Sequence, residues 1–418
     1  MEQLAFPRYD AYKPSGVDWL GDIPEAWSIE RIRAVTELKS KKNQPDLPVL
    51  SVYREYGVIP KDSRDDNHNA TSLDTSNYKV VKSGDLVVNK MKAWQGSMGV
   101  SEHQGIVSPA YITCSVDAEH VRPKFLHYLL RSKPYIGVYN SLSYGVRVGQ
   151  WDMHYEDFKH IPLPIPSRDE QDRIANFLDQ KTAEIDEAIA KKQRLIELLK
   201  EQKAILINQA VTKGLNPGVP MRDSGVEWIG EVPEHWKAKK VKAMLLNLDH
   251  RRIPLSSVER GSMERREYDY YGASGIIDKV EDYLFDEPLI LVAEDGANLV
   301  LRNLRLAFIA KGKYWVNNHA HILKPIEGDI EYLCSALECV DFNPFITGAA
   351  QPKLTKDAIK NVSLPCPPLE EQREIGRHIG FIEAGTQEQE ALVEKEVDLL
   401  RELKATLISE AVTGKIKL

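Results

Sequence analysis

Apolar and polar residues alternate in short runs along most of this chain, then switch to a three-and-four spacing in two long stretches. Runs rich in Val, Ile and Tyr, bounded by Gly, Asn and Asp, occur at Leu50 to Tyr53, Leu86 to Asn89, Gly105 to Thr113, Leu289 to Ala293, Leu306 to Ala310 and His319 to Leu323. That pattern predicts strands. Pro123 to Arg131 and Asp329 to Glu338 read as short helices. Strands and helices so mixed predict two globular α+β domains of about 150 residues each.

The long stretches are helical in period. Apolar residues step through Ile174, Leu178, Ile185, Ala188, Leu195, Leu199 and Leu206, and again through Ile375, Ile379, Ile382, Val393, Leu400, Leu403 and Leu407. Lys181, Lys192, Thr386 and Gln389 interrupt them. Such a stripe, with Glu and Lys abundant between, resembles a coiled-coil seam. About 40 residues make a rod roughly 60 Å long. Neither helix can bury its stripe alone, so antiparallel pairing of the two is expected.

The helices are copies. Pro162 to Thr212 returns as Ser363 to Thr413 without a gap, at an offset of 363 − 162 = 201. Both copies open on a Pro-rich strand and a Glu-Gln pair, Glu170-Gln171 and Glu371-Gln372. Upstream, Ser15 to Trp27 returns as Ser224 to Trp236, at an offset of 224 − 15 = 209. Between these anchors identity nearly vanishes. The chain is therefore one unit built twice, with fixed ends and a variable middle. The boundaries read from this are a first globular domain at 1–160, a first spacer helix at 161–213, a second domain at 214–361 and a second spacer helix at 362–418.

Composition narrows the class. No run of 18 apolar residues is present to span a membrane, and the N-terminus lacks the features of a signal peptide. The four cysteines are scattered without a Cys-x-x-Cys pair, so neither a disulfide framework nor a zinc site is expected, and the chain reads as cytoplasmic. A net charge of −7 rules out a uniformly basic surface and leaves nucleic-acid binding to local patches. No P-loop, dinucleotide fingerprint or Gly-x-Ser-x-Gly is present, and Asn343-Pro344-Phe345 lacks the second proline of an amino-methyltransferase motif. The Glu-x-Lys tripeptides at Glu37, Glu201 and Glu402 are expected by chance in a chain with 28% charged residues. His319 and His321 fall on one face of a strand, where a core or DNA-facing role is favoured over metal ligation. No catalytic or metal residue is assigned, and the chain reads as a binder rather than an enzyme.

The two Trp-Leu/Ile-Gly-Asp/Glu-Ile/Val-Pro-Glu-x-Trp segments, Gly348 to Leu354, and Leu364 to Gln372 resemble the specificity subunit of Type I restriction–modification enzymes. The first copy carries a weaker version at Arg147 to Gln150 and Leu163 to Gln171. The resemblance covers essentially the whole chain. It implies two target-recognition domains, each reading one half of a split sequence in double-stranded DNA, and conserved helices that set the gap. It further implies two methyltransferase subunits docked on the helices and two translocase–nuclease subunits. S-adenosylmethionine, Mg and ATP would then sit on those partners, with no cofactor on this chain. The competing reading is a structural adaptor bridging two proteins without reading DNA.

Groove readers are expected among cations, amides and aromatics on Gly-flanked loops. In the first domain these are Tyr53, Arg54, Lys90, Lys92, Trp94, Gln95, Arg147 and Gln150. In the second they are Arg251, Arg252, Arg265, Arg266, Tyr270, Tyr271, Asn298, Arg302, Lys311, Lys313, Asn317, Asn318 and His319. Trp19, Trp27, Trp228 and Trp236 belong to the repeated ends and are expected to pack rather than read.

Overall fold

A computed structural model describes residues 6–64, 71–72, 74–145, 151–348 and 351–418. The chain is α+β and divides into two compact units, Met1–Gln193 with Glu394–Leu418, and Arg194–Val393. Each unit holds one variable middle, part of its own spacer helix and part of the other. The spacer helices run Arg168–Lys213 and Leu369–Val412.

The variable middles share one topology despite their unlike sequences. In the first, a four-stranded antiparallel sheet has the spatial order Thr36–Leu38, Ile112–Val116, Leu86–Val88, Met98–Val100. In the second the order is Leu245–Asn247, Ala320–Pro325, Leu289–Ala293, Ala307–Ala310. The central strands Leu86–Val88 and Leu289–Ala293 are buried along their whole length. This explains why they read as unbroken apolar runs rather than alternating ones. The run from Gly105 to Thr113 is two strands, Gly105–Val107 and Ile112–Val116, because Pro109 cannot donate to a ladder and breaks it.

One helix backs each sheet. Pro123–Arg131 starts on proline, whose missing N–H would be unbonded in a first turn anyway. Ile330–Cys339 starts at Asp329, whose carboxylate accepts from the Tyr332 N–H at 3.0 Å. The strand before each spacer helix, Pro162–Ile165 or Ser363–Cys366, pairs antiparallel with the strand after the repeated tryptophans, Ser28–Arg31 or Lys237–Lys240.

The Glu-Gln pair that marks both copies works in the same way twice. Trp27 Nε1 donates to Glu170 at 3.2 Å and Trp236 Nε1 donates to Glu371 at 2.8 Å. Gln171 donates to the Pro166 carbonyl at 3.0 Å and accepts from the Arg122 N–H at 2.6 Å. Gln372 donates to the Pro367 carbonyl at 2.9 Å and accepts from the Asp329 N–H at 2.9 Å. Each glutamine thus closes a helix start and ties it to the turn before the backing helix. The indoles of Trp27 and Trp236 are buried, in keeping with their place in the repeated ends.

Most of the predicted apolar stripe turns inward, including Ile174, Leu178, Ile185, Leu199, Ile375, Ile379, Val393, Leu400 and Leu407, but Leu195, Leu206 and Leu403 do not. Leu195 is 42% exposed and Leu206 40%. Along the middle of the first helix the inward positions are Ile185, Ile189, Lys192, Ile196, Leu199, Lys203 and Ile207, spaced four and three. At the same offset of 201, Thr386, Glu390, Val393, Val397, Leu400 and Lys404 turn inward on the second helix. Lys192, an interruption by apolarity alone, is therefore a seam residue. Its stem is covered and its ammonium meets Glu396 at 2.5 Å. Lys404 likewise reaches Asp186 at 2.6 Å in the first unit, and Lys203 reaches Glu390 at 3.5 Å in the second. In the first unit the paired residue numbers rise on one helix as they fall on the other, so the two helices run antiparallel.

Candidate nucleic-acid interface

The polar end of the first sheet gathers around the turn Lys90–Gln95, which follows the central strand. Lys90 pairs with Asp152 at 2.8 Å. Lys79 donates to the Tyr111 carbonyl at 2.5 Å. Burial, then the nearby charge of Lys42, lowers its proton affinity, with Lys90 adding to the effect. Lys42 and Lys79 make no ion pair among the described residues. Lys90 is answered by Asp152, so the positive charge left over at this end lies with Lys42 and Lys79 and raises the local potential toward a polyanion. Trp94 packs edge-on against Trp151 at 5.8 Å, and its indole N–H is buried without a partner. The Tyr53 hydroxyl and Asn89 Oδ1 are also buried without partners.

Of the remaining first-domain candidates, Lys92 is exposed, and Gln95 lies half-buried on the same turn. Arg54 stands at a hairpin tip with an exposed side chain, while its carbonyl and that of Glu55 accept from Arg131 at 2.6 and 2.7 Å. Arg147 and Gln150 lie outside the described residues.

The same place in the second unit is built differently. Asp249, Arg252, Glu294, His321 and Lys353 form one ionic network, buried at its centre. Asp249 accepts from the Ile322 N–H at 2.8 Å and faces His321 Nδ1 at 2.7 Å. His321 Nε2 donates to the Leu354 carbonyl at 2.8 Å. Burial works against the Asp249 charge, but the hydrogen bond and charge of His321 and the Ile322 N–H outweigh it. Its carboxyl is lowered to about 2. Asp249, Glu294 and His321 bring ligand-type atoms within 4.8 Å of one another. Here Arg252 pairs with Glu294, and Lys353 lies 3.2 Å from Glu294, so two side-chain cations already answer the two carboxylates.

Several second-domain candidates make their contacts inside the protein. Arg252 donates into this network and to the Ala320 carbonyl at 2.9 Å, so its fork is committed inside the protein. Tyr270 is 1% exposed and its hydroxyl accepts from the Leu255 N–H at 3.0 Å, which makes it a core residue. Asn317, 5% exposed, accepts from the His319 N–H at 2.8 Å and shapes the turn, while the Asn318 carbonyl accepts from Arg252 at 3.3 Å. Arg302 donates to the Val340 carbonyl at 2.7 Å and clamps the end of the backing helix. Asn298 closes its own turn through Leu304, at 3.0 and 2.8 Å.

Others are partnered at the surface. Arg251 lies 4.6 Å over Phe285, and Lys313 lies 4.6 Å over Tyr283. Arg266 is 3.6 Å from Asp278, Lys311 is 2.9 Å from Glu331, and His319 is 2.9 Å from Asp295. Tyr271 stacks on Phe308 at 5.8 Å, and Arg265 is exposed. Residue type alone does not point to Lys42, Lys79, Asp152, Asp249, Glu294 or Lys353. One signal is present in the sequence: Asp152 and Lys353 stand at the repeat offset of 201 with opposite charge.

Residues 24–198 and 233–392 match the family described as Type I restriction modification DNA specificity domain. A Haemophilus influenzae protein named a putative type I restriction enzyme specificity subunit is 38% identical over 120 residues, covering 28% of this chain and 31% of its own length. Two Methanocaldococcus jannaschii proteins are similar over nearly their whole length. The putative MjaX specificity subunit is 22% identical over 99% of this chain and 98% of its own, and the MjaVIII specificity subunit 23% over 94% of each. A solved chain from a type I R-M system shares the fold, with a TM-score of 0.69 and 14% identity over 93% of this chain and 98% of that one. No helix of the described residues is long and apolar enough to cross a membrane. The two matched stretches span well over half of the chain, one in each variable middle and spacer helix, and the chain belongs to the family of Type I restriction–modification specificity subunits.

Proposed function

We propose that this chain gives sequence specificity to a Type I restriction–modification complex by reading a bipartite site in double-stranded DNA, one half with each unit. The observation that carries the proposal is one sheet topology used twice with unlike polar groups at the same place. Lys42, Lys79 and Lys90 gather there in the first unit, and the Asp249–Arg252–Glu294–His321–Lys353 network stands there in the second. Lys42 and Lys79 would hold phosphates, and the exposed side chains around each turn would meet base edges. The spacer helices would set the gap between half-sites. Their outward residues Leu195, Leu198, Ile205, Leu392, Leu399 and Leu403 offer an apolar face for two methyltransferase subunits. Methyl transfer, translocation and cleavage, with S-adenosylmethionine, Mg and ATP, would belong to those subunits and two translocase–nuclease subunits. The lysine cluster favours this reading over an adaptor that binds only protein.

Methylation-site mapping in a host expressing the chain with its methyltransferase tests the proposal. A two-part motif with a fixed gap is expected, and each half should change when the corresponding unit is replaced. A contiguous motif, or one indifferent to replacement of either unit, would overturn it.

A further inference from the structure

The internal duplication supplies a comparison within a single chain. Strand pairing fixes equivalent positions. Cys114 lies opposite Leu38, and Leu323 lies opposite Asn247. Leu38 and Asn247 are themselves related by the upstream offset, 247 − 38 = 209. Two residues back along each strand, Ile112 faces Val88 and His321 faces Val292. Lys90, two residues beyond Val88, therefore occupies the place of Glu294, two residues beyond Val292. Their partners are also equivalent, since Asp152 and Lys353 stand at the helix offset, 353 − 152 = 201.

The two pairs are Lys90 with Asp152 at 2.8 Å and Glu294 with Lys353 at 3.2 Å. Both members have reversed charge, and the pairing survives. A change on one side alone would have set like charges together in a half-buried place. What both units retain is the bond between the turn after the central strand and the short segment leading to the spacer helix. The second unit adds a backbone tie there, from the Leu354 N–H to the Glu294 carbonyl at 2.7 Å.

We infer that these two ion pairs are one positioning latch in opposite polarities, which fixes the turn beyond the central strand of each unit against its own repeat segment. In the first unit that turn carries Lys92, Trp94 and Gln95, so the latch sets the angle of the exposed Lys92 and of its half-buried neighbours without itself contacting a base. Reversed polarity also makes each half of the latch specific to its own unit: Asp152 would be repelled by Glu294, and Lys353 by Lys90.

The inference rests on the DNA-reading proposal. Its test uses the full chain assembled with its methyltransferase, and a duplex library randomised across the target region, from which bound molecules are sequenced. Lys90→Glu and Asp152→Lys, singly, should relax base preference in the half read by the first unit by about tenfold, equivalent to about 1.4 kcal/mol, and leave the other half unchanged. The double variant Lys90→Glu/Asp152→Lys, which copies the polarity of the second unit, should restore preference in that half. Unfolding midpoints of all three variants establish that each is folded. Folded single variants with wild-type preference, or a folded double variant that stays relaxed, would overturn the latch. Wild-type protein selecting no two-part motif would instead overturn the reading beneath it.

Discussion

The indole N–H of Trp236 donates to Glu371 at 2.8 Å, joining residues 135 positions apart in sequence. His235 reaches the other carboxylate oxygen at 2.7 Å. The bond holds the start of the second spacer helix on the segment that opens the second unit. Trp236→Phe keeps most of the buried ring and removes the donor, so it should cost about 1 kcal/mol. Trp236→Ala should cost about 3–5 kcal/mol through the cavity it leaves. Denaturant midpoints measure both, and equal losses from the two variants would show that the hydrogen bond, not the ring, dominates.

Lys42 and Lys79 should act on affinity without acting on sequence. Replacing both with Gln removes two cations from the polar end of the first sheet. The slope of log affinity against log salt should fall by about 0.9 for each phosphate no longer neutralised, equally on every duplex. Weakening confined to one sequence would place them among the base readers.

Two buried groups give the units different responses to acid. Asp249 is lowered from 3.8 to about 2, so its contribution is complete above pH 4 and is lost as pH falls through that range. The linkage amounts to about 2 kcal/mol. Comparing stability at about pH 6 and pH 3 in wild type and Asp249→Asn reads it, and the variant should show the smaller change.

In the first unit, burial and then the charge of Arg131 push His127 down from 6.5 to about 4. Arg131 Nη1 donates to its Nε2 at 2.6 Å. The fold favours the neutral ring, so this contribution is present above pH 6.5 and declines as pH falls toward 4. His127→Gln should flatten the stability profile across that window. An unchanged profile would mean that the ring titrates freely.

The spacer helices should behave as a ruler. One heptad inserted after Gln193 and one after Val393 preserve the phase of the seam and lengthen each helix by about 10 Å. The gap between methylated half-sites should grow by about three base pairs, at roughly 3.4 Å each, with both half-sequences unchanged. Methylation mapping would report it, and an unaltered gap would rule out the ruler.

Much of the fold was legible in the sequence. Leu50–Tyr53, Leu289–Ala293 and Pro123–Arg131 form where their patterns place them, because local period and backbone preference agree there. Apolarity places most of the seam but not all of it, because it cannot show that Lys192, Lys203 and Lys404 bury their stems and hand their charges to Glu396, Glu390 and Asp186. The candidate site was less legible. Tyr270 and Arg252 have the chemistry of surface readers, yet tertiary packing places one in the core and the other in an ionic network. Lys79 and Lys42 are brought together only by the folded sheet, and nothing in their local sequence marks them.

The reversed ion pairs also bear on which parts of such a chain can be exchanged. The segments most alike in the two copies, where homologous recombination would begin, lie outside both pairs. A crossover at the repeated Trp segment and another within the spacer helix carry Lys90 and Asp152 together, as they would carry Glu294 and Lys353. A crossover between residues 90 and 152 would separate them and join a turn to the wrong partner. Exchange of whole units, rather than fragments of them, is thus favoured by electrostatics as well as by sequence identity.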